Sequence, residues 1–79
     1  MDDKTLKQLT RTLLLHAKGL GLPIGAAEVF IEKSLLTAKK TLSSHSVITE
    51  NDVTRAVAKE LRKYNSDLAY VYQNRDKII

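Results

Sequence analysis

The sequence of 79 residues contains no cysteine and no tryptophan, and it has one proline, one phenylalanine and three glycines. Without cysteine, no disulfide and no thiolate metal site can stabilise the fold, and this absence fits a reducing compartment. No apolar run approaches the ~20 residues that a membrane-spanning helix needs. The start, MDDKTLKQL, lacks the pattern of a signal or transit peptide. We therefore expect a cytoplasmic protein that has no membrane contact.

The length of the chain predicts a single helical domain over residues 1–79. A core of this size supplies only about 3–5 kcal/mol of stability, so self-association or a partner would add to it. Strand-like alternation and hairpin turn signals are absent, whereas alanine, leucine and lysine dominate. The expected fold class is all-α, a compact four-helix bundle in which the second helix is central.

The first helix is predicted from about Thr5 to Lys18, with Asp2 or Asp3 as its N-cap and Gly19 or Gly21 at its end. The glycines cluster with the proline in GLGLPIG. No strand precedes this cluster and no Gly-Lys-Ser/Thr follows, so it is typical of a helix end and turn rather than of a phosphate-binding loop. One face of this helix is apolar and carries Leu6, Leu9, Leu13, Ala17 and Leu20.

The second helix is predicted to begin at Pro23 or the next residue and to end near Leu42. Val29, Phe30 and Leu36 add apolar surface on sides other than the main stripe. A helix that is apolar on so many sides is usually buried among its neighbours, which is why we expect it to be central. The main stripe consists of Ile24, Ala27, Ile31, Leu35, Ala38 and Leu42.

The stretch SSHSVITEND predicts the start of the third helix. Thr49 is a strong N-cap candidate, and Asp52 three residues later completes a short variant of the capping box. Ile48 and Val53 occupy the positions of a hydrophobic staple. After this helix, Ser66 is the predicted cap of a fourth helix. The third helix is expected to bury Val53, Ala56, Val57, Leu61 and Tyr64.

The last stretch, NSDLAYVYQNRDKII, is predicted to be a docked helix. At helical spacing Tyr70 points away from the core. Arg75 falls inside the apolar stripe, where an unpaired charge is costly, so it needs a carboxylate or carbonyl partner or a place at an interface. The predicted core side consists of Leu68, Val71, Tyr72, Ile78 and Ile79.

No arrangement of residues typical of a catalytic or metal site is recognisable. His16 and His45 lie 29 positions apart (45 − 16) with no third ligand at a known spacing. Glu28 and Glu32 form an i, i+4 pair beside Lys39 on the second helix, which is more typical of a solvated strip than of an acid–base pair. We expect a protein that is not an enzyme and that uses no cofactor and no metal.

Leu14 and Leu15 flank the basic stripe of the first helix and do not fit its apolar face. They are either exposed leucines, which are common on surfaces, or a contact with another helix or chain. The favoured function is a non-catalytic interaction or regulatory module that acts through its helical surface on a protein partner or on a second copy. The expected contact residues are Leu14, Leu15, Tyr70 and Arg75.

A nucleic-acid-binding module is the alternative function. The formal net charge is +4, and basic residues lie on one side of the first helix and one side of the third. If both sides formed one surface, eight cations could follow a phosphate backbone. No helix-turn-helix pattern supports this alternative. The cations are Lys4, Lys7, Arg11, Lys18, Arg55, Lys59, Arg62 and Lys63.

From about Leu9 onward the chain resembles the ATP-cone, a regulatory domain of ribonucleotide reductases and of their transcriptional repressor. The stretches LLLHAKGLGL, AAEVFIEKSLLTAKKTL and VITENDVTRAVAKEL are similar to successive helices of that family. Ala69, Tyr70 and Val71 match the middle of its closing pattern. The resemblance implies a helical regulatory domain that senses nucleotides, which is a third possible function.

The chain departs from the ATP-cone in two places. The family has an adjacent Tyr-Arg pair, whereas Tyr72 comes one residue early here and Arg75 is displaced from it. The family also begins with a basic β-hairpin that supplies much of its nucleotide site, and no such segment precedes Leu6. The resemblance therefore extends to the helical arrangement and not to ATP binding.

Overall fold

The structure is a computed structural model that describes residues 2–75, and these contain four α-helices. They are α1 (Asp3–Gly19), α2 (Ile24–Leu42), α3 (Glu50–Leu61) and α4 (Ser66–Gln73). Both α1 and α3 pack against α2 and against α4, so the helices form a ring in which α1 and α3 lie opposite each other. The Cα radius of gyration is 11.8 Å. The prediction of a compact all-α bundle of four helices is confirmed.

One hydrophobic core lies inside the ring. The longest helix, α2, contributes more buried side chains than any other helix, as expected of a central helix. Its outer face is open, however, because Val29 and Leu36 expose 54% and 50% of their surface. The largest buried side chains of the core are Tyr72, Leu13, Ile31, Leu61, Leu68 and Val57.

Side-chain caps fix the starts of α1 and α3, as predicted. The Asp2 carboxylate accepts a hydrogen bond of 2.8 Å from the Thr5 backbone N–H. At α3 the Thr49 hydroxyl accepts from the Asp52 N–H at 3.1 Å, and the Asp52 carboxylate accepts from the Thr49 N–H at 3.0 Å. This capping box satisfies two backbone N–H groups that the helix itself leaves without partners.

The turn between α1 and α2 is a Schellman motif. Gly21 has a φ of 75°, which L side chains rarely adopt. The Leu22 N–H donates to the Ala17 carbonyl, and the Gly21 N–H donates to the Lys18 carbonyl, both at 3.0 Å. Of the two glycines predicted to end α1, Gly21 is the one that the turn requires. This turn reverses the chain, so α1 and α2 run antiparallel.

Two predictions near the end of α3 are wrong. The cap of α4 is Asn65 rather than Ser66, since the Asn65 side chain accepts from the Leu68 N–H at 2.9 Å. Tyr64 is not buried but half exposed, and its ring stacks on Phe30 with the ring centroids 5.7 Å apart. Because α3 ends at Leu61, the helical spacing that placed Tyr64 in the core no longer applies at that position.

In α4 the predicted core side is confirmed where the structure describes it. Leu68 and Tyr72 are fully buried, and Val71 is partly buried. Ile78 and Ile79, which were assigned to the same side, lie outside the described residues. None of the helices within residues 2–75 combines the length and the apolarity that crossing a membrane requires.

Candidate interaction surface

An open groove of about 730 Å³ runs along the outer side of α1 and reaches the first residue of α2. It exists because the apolar residues of α1 cover more than the side that faces the core. Leu13 is buried, whereas Leu14, one position on, is only partly buried and packs against the core from the edge. The groove is lined by Leu6, Lys7, Thr10, Arg11, Leu14, Leu15, Lys18 and Ile24.

The floor of the groove is apolar. Leu6 and Leu14 are partly buried against the core, while Leu15 and Ile24 expose 66% and 40% of their surface. A contiguous exposed apolar strip of this kind marks an interaction site more often than scattered single leucines do. The structure thus places both Leu14 and Leu15 in one groove.

The rim of the groove is basic. Lys7, Arg11 and Lys18 are exposed on α1. Within residues 2–75 the ion pairs shorter than 4.0 Å involve other cations, namely Arg55, Lys63 and Arg75. The three rim cations are therefore available to carboxylates from outside the chain.

Ile24 and Leu6 belong to the groove but were assigned only to core stripes by their spacing. Ile24 is the first residue of α2, and the short turn before it places it beside the last turns of α1. At this end of the bundle α2 has no preceding turn of its own to cover Ile24. In the sequence, Pro23 follows the apolar pattern of α1 after only a few residues. This short separation could have indicated that Ile24 lies beside α1.

The other two predicted contact residues, Tyr70 and Arg75, do not line the groove. Tyr70 lies on the outer side of α4 and exposes 65% of its surface, as predicted. Arg75 lies in a second, smaller cleft of about 370 Å³ between α1, α3 and the end of α4. The structure therefore brings together two of the four predicted residues and separates the other two from them.

The same chain supplies the partners that are required by the position of Arg75. Its guanidinium donates to the Tyr72 carbonyl at 2.8 Å and to the Thr54 hydroxyl at 3.1 Å, and it lies 3.9 Å from the Glu50 carboxylate. These contacts tie the end of α4 to the first turns of α3. The charge of Arg75 is thus satisfied without an interface.

The two basic stripes lie on opposite helices of the ring, so their outer sides face away from each other. All eight cations are exposed, but three of the four that lie on α3 or directly after it already have partners. Arg55 pairs with Asp52 and Lys63 with Glu60, each at 3.1 Å, and Arg62 donates to the Gln73 side chain. The condition for the nucleic-acid alternative, one continuous basic surface, is not met by this arrangement.

Chemical groups elsewhere in the described chain are dispersed. His45 is exposed in the loop before α3, and His16 is partly buried on α1. Within residues 2–75 no three histidine, aspartate or glutamate side chains come close enough to hold a metal ion. The groove on α1 is therefore the candidate interaction surface.

Comparison of the chain with protein-family models, with curated proteins and with solved structures finds no match in any of the three. The resemblance to the ATP-cone accordingly stays a prediction.

Proposed function

We propose that this protein is a small interaction module whose α1 groove binds an acidic amphipathic helix of a protein partner. The observation that carries the proposal is the combination of an apolar floor with a basic rim on one side of one helix. A groove of this shape accepts the apolar side of a helix, with anchors at helical spacing. The partner's polar flank then meets the rim.

The apolar floor supplies the affinity of this contact. Leu15 exposes 66% of its surface in the free protein, and covering it removes apolar area from water at roughly 25 cal/mol per Å². Leu14 and Leu6 are held in place by the core beneath them. Because they are already ordered, little conformational entropy is lost when a partner covers them.

The basic rim determines the specificity for the partner. Lys7 and Arg11 are one helical turn apart and Lys18 lies two turns further. A helix with glutamates beside its apolar stripe would pair with them, whereas a helix with lysines there would be repelled. Since the rim is exposed to solvent, its contribution falls as salt rises.

Binding of two designed peptides tests the proposal. One is an amphipathic helix with leucines on one side and glutamates beside them, and the other is the same helix with lysines in place of the glutamates. We expect fluorescence anisotropy to detect binding of the acidic peptide, at least about tenfold tighter than the basic one, which corresponds to about 1.4 kcal/mol. Equal binding of both peptides, or binding of neither, would contradict the proposal.

Two variants of matched exposure locate the contact. Leu15 and Tyr70 expose 66% and 65% of their surface, but only Leu15 lines the groove. Leu15→Ala should weaken binding of the acidic peptide about tenfold, as expected for an apolar anchor, and Tyr70→Ala should leave it unchanged. The reverse pattern would place the binding surface on α4.

A further inference from the structure

The smaller cleft, between α1, α3 and the end of α4, combines a cation with an apolar wall. Arg75 lines this cleft and exposes 22% of its side chain. Leu9 of α1 and Val53 of α3 line it too, and both are held in place by the core. Its volume of about 370 Å³ lies at the small end of the range of small-molecule sites. A concave surface of this size and composition suits a small ligand that has an anionic and an apolar part.

The guanidinium of Arg75 is held in one orientation by contacts from two helices. It lies over the Tyr72 ring and donates to the Tyr72 carbonyl at the end of α4. It also donates to the Thr54 hydroxyl of α3. Because the group is already ordered, little conformational entropy is lost when a ligand pairs with it.

The guanidinium keeps hydrogen-bond donors for an anion. A guanidinium has five N–H groups, and within residues 2–75 two of them donate in hydrogen bonds. The Glu50 carboxylate lies 3.9 Å away, which is longer than the ~2.7–2.9 Å of a charge-assisted hydrogen bond. The Glu50 side chain is also 90% exposed, so this ion pair contributes little. A carboxylate that lies closer to Arg75 can take its place.

We propose that this cleft binds a small organic monocarboxylate, whose carboxylate replaces that of Glu50 beside Arg75 and whose apolar part lies on Leu9 and Val53. One negative charge balances the one cation of the cleft, whereas the second charge of a phosphate would lie unpaired near Glu50. A free acid and the C-terminal carboxylate of a peptide share this chemistry. The cleft and the α1 groove have no lining residue in common, so the two sites can be tested separately.

An NMR titration of the full ¹⁵N-labelled chain with isocaproate, at constant ionic strength, tests the site. Isocaproamide is the control, because it has the same shape without the charge. We expect shifts at the amides of Leu9, Val53, Thr54 and Arg75, a Kd of about 1 mM for isocaproate and one at least tenfold weaker for the amide. N-acetyl-alanyl-leucine distinguishes the two sources, since tighter binding of this dipeptide assigns the site to a peptide C-terminus and weaker binding assigns it to a free acid.

Removing the competing carboxylate should strengthen binding. Glu50→Gln leaves Arg75 without its ion pair, so isocaproate should bind about two- to fivefold tighter, while binding of the amide stays unchanged. Glu28→Gln is the matched control, because it changes the net charge equally at an exposed position outside the cleft, and it should have no effect. A merely structural pairing of Arg75 with Glu50 would produce no gain, so unchanged or weaker binding in Glu50→Gln would overturn the proposal.

Removing the cation should weaken binding. Arg75→Gln should bind isocaproate at least tenfold more weakly, whereas Arg62→Gln, at an exposed position outside the cleft, should bind it as the unaltered chain does. Circular dichroism shows whether both variants keep their helices, and if Arg75→Gln unfolds, Glu50→Gln decides the matter alone. The proposal is wrong if isocaproate does not bind at concentrations up to ~20 mM, if acid and amide bind equally, if inorganic phosphate binds more tightly than the acid, or if a folded Arg75→Gln binds the acid undiminished.

Discussion

The guanidinium of Arg75 lies over the ring of Tyr72, with its central carbon 4.4 Å from the ring centroid. The same guanidinium donates to the Tyr72 carbonyl, so Arg75 holds both the side chain and the backbone of that residue. Tyr72 is fully buried. Arg75 is thus part of the packing of α4 rather than of a surface for partners.

Replacing Tyr72 by phenylalanine should not destabilise the protein. The Tyr72 hydroxyl is buried, and within residues 2–75 it makes no hydrogen bond of standard geometry. The Thr54 hydroxyl lies near it and offsets part of the effect of burial on its pKa. Removing an unsatisfied polar group should leave the free energy of unfolding unchanged or raise it by up to about 1 kcal/mol. Tyr72→Ala removes the buried ring and leaves a cavity, so it should lower the free energy of unfolding by about 3–5 kcal/mol. Urea unfolding measures both, and a loss above about 1 kcal/mol for Tyr72→Phe would show that the hydroxyl is bonded.

Burial raises the pKa of the Tyr72 phenol, with the Arg75 charge opposing part of that effect. A phenol with a raised pKa keeps its proton in the folded state at a pH where the unfolded chain loses it. The resulting contribution to stability is complete below about pH 10 and is lost as pH rises through the folded-state pKa. The free energy of unfolding should therefore fall with pH above about 10, and it should fall less steeply in Tyr72→Phe. Identical slopes for the two proteins would contradict this prediction.

Alanine substitutions at Leu13 and Leu15 should distinguish an effect on stability from an effect on peptide binding. Leu13 is fully buried, so Leu13→Ala should cost about 2–5 kcal/mol of unfolding free energy. Leu15 is mostly exposed, so Leu15→Ala should change that free energy by less than about 0.5 kcal/mol while weakening peptide binding. Thermal or urea unfolding provides the comparison. A large loss of stability in Leu15→Ala would mean that Leu15 belongs to the core.

The capping box of α3 should contribute measurably to stability. Thr49→Ala removes the hydroxyl that accepts from the Asp52 N–H and should cost about 1 kcal/mol. Thr49→Asn, which keeps an acceptor at the cap, should recover most of this loss. Urea unfolding of the three proteins checks the order, and equal stabilities would indicate that α3 starts without its cap.

Local signals explain the sequence predictions that were confirmed. Thr49 and Asp52 are three residues apart, so their mutual hydrogen bonds depend only on the local backbone and could be predicted from the sequence. The same holds for Gly21, whose positive φ belongs to the turn itself. The predicted burial of Tyr64 was wrong because it depended on α3 continuing beyond Leu61. A few residues of error at a helix end change the side on which a residue lies.

The groove could be predicted only in part. Leu14 and Leu15 stood out in the sequence because they did not fit the apolar side of α1. Ile24 did fit its own stripe, and it lines the groove only because α2 begins beside the end of α1. Arg75 was correctly predicted to need a partner, but Thr54, which supplies one, is 21 residues away in sequence. Spacing along one helix carries no information about such contacts.

A titration of the ¹⁵N-labelled protein with the designed acidic peptide, followed residue by residue by NMR, tests whether the α1 groove is the docking surface. We expect the amide shifts to concentrate on Leu14, Leu15, Lys18 and Ile24, and the Tyr70 amide not to shift. In Leu15→Ala, about ten times more peptide should be needed to reach the same shifts. Shifts centred on α3 or α4, or none with either peptide, would contradict the claim that the α1 groove is the docking surface.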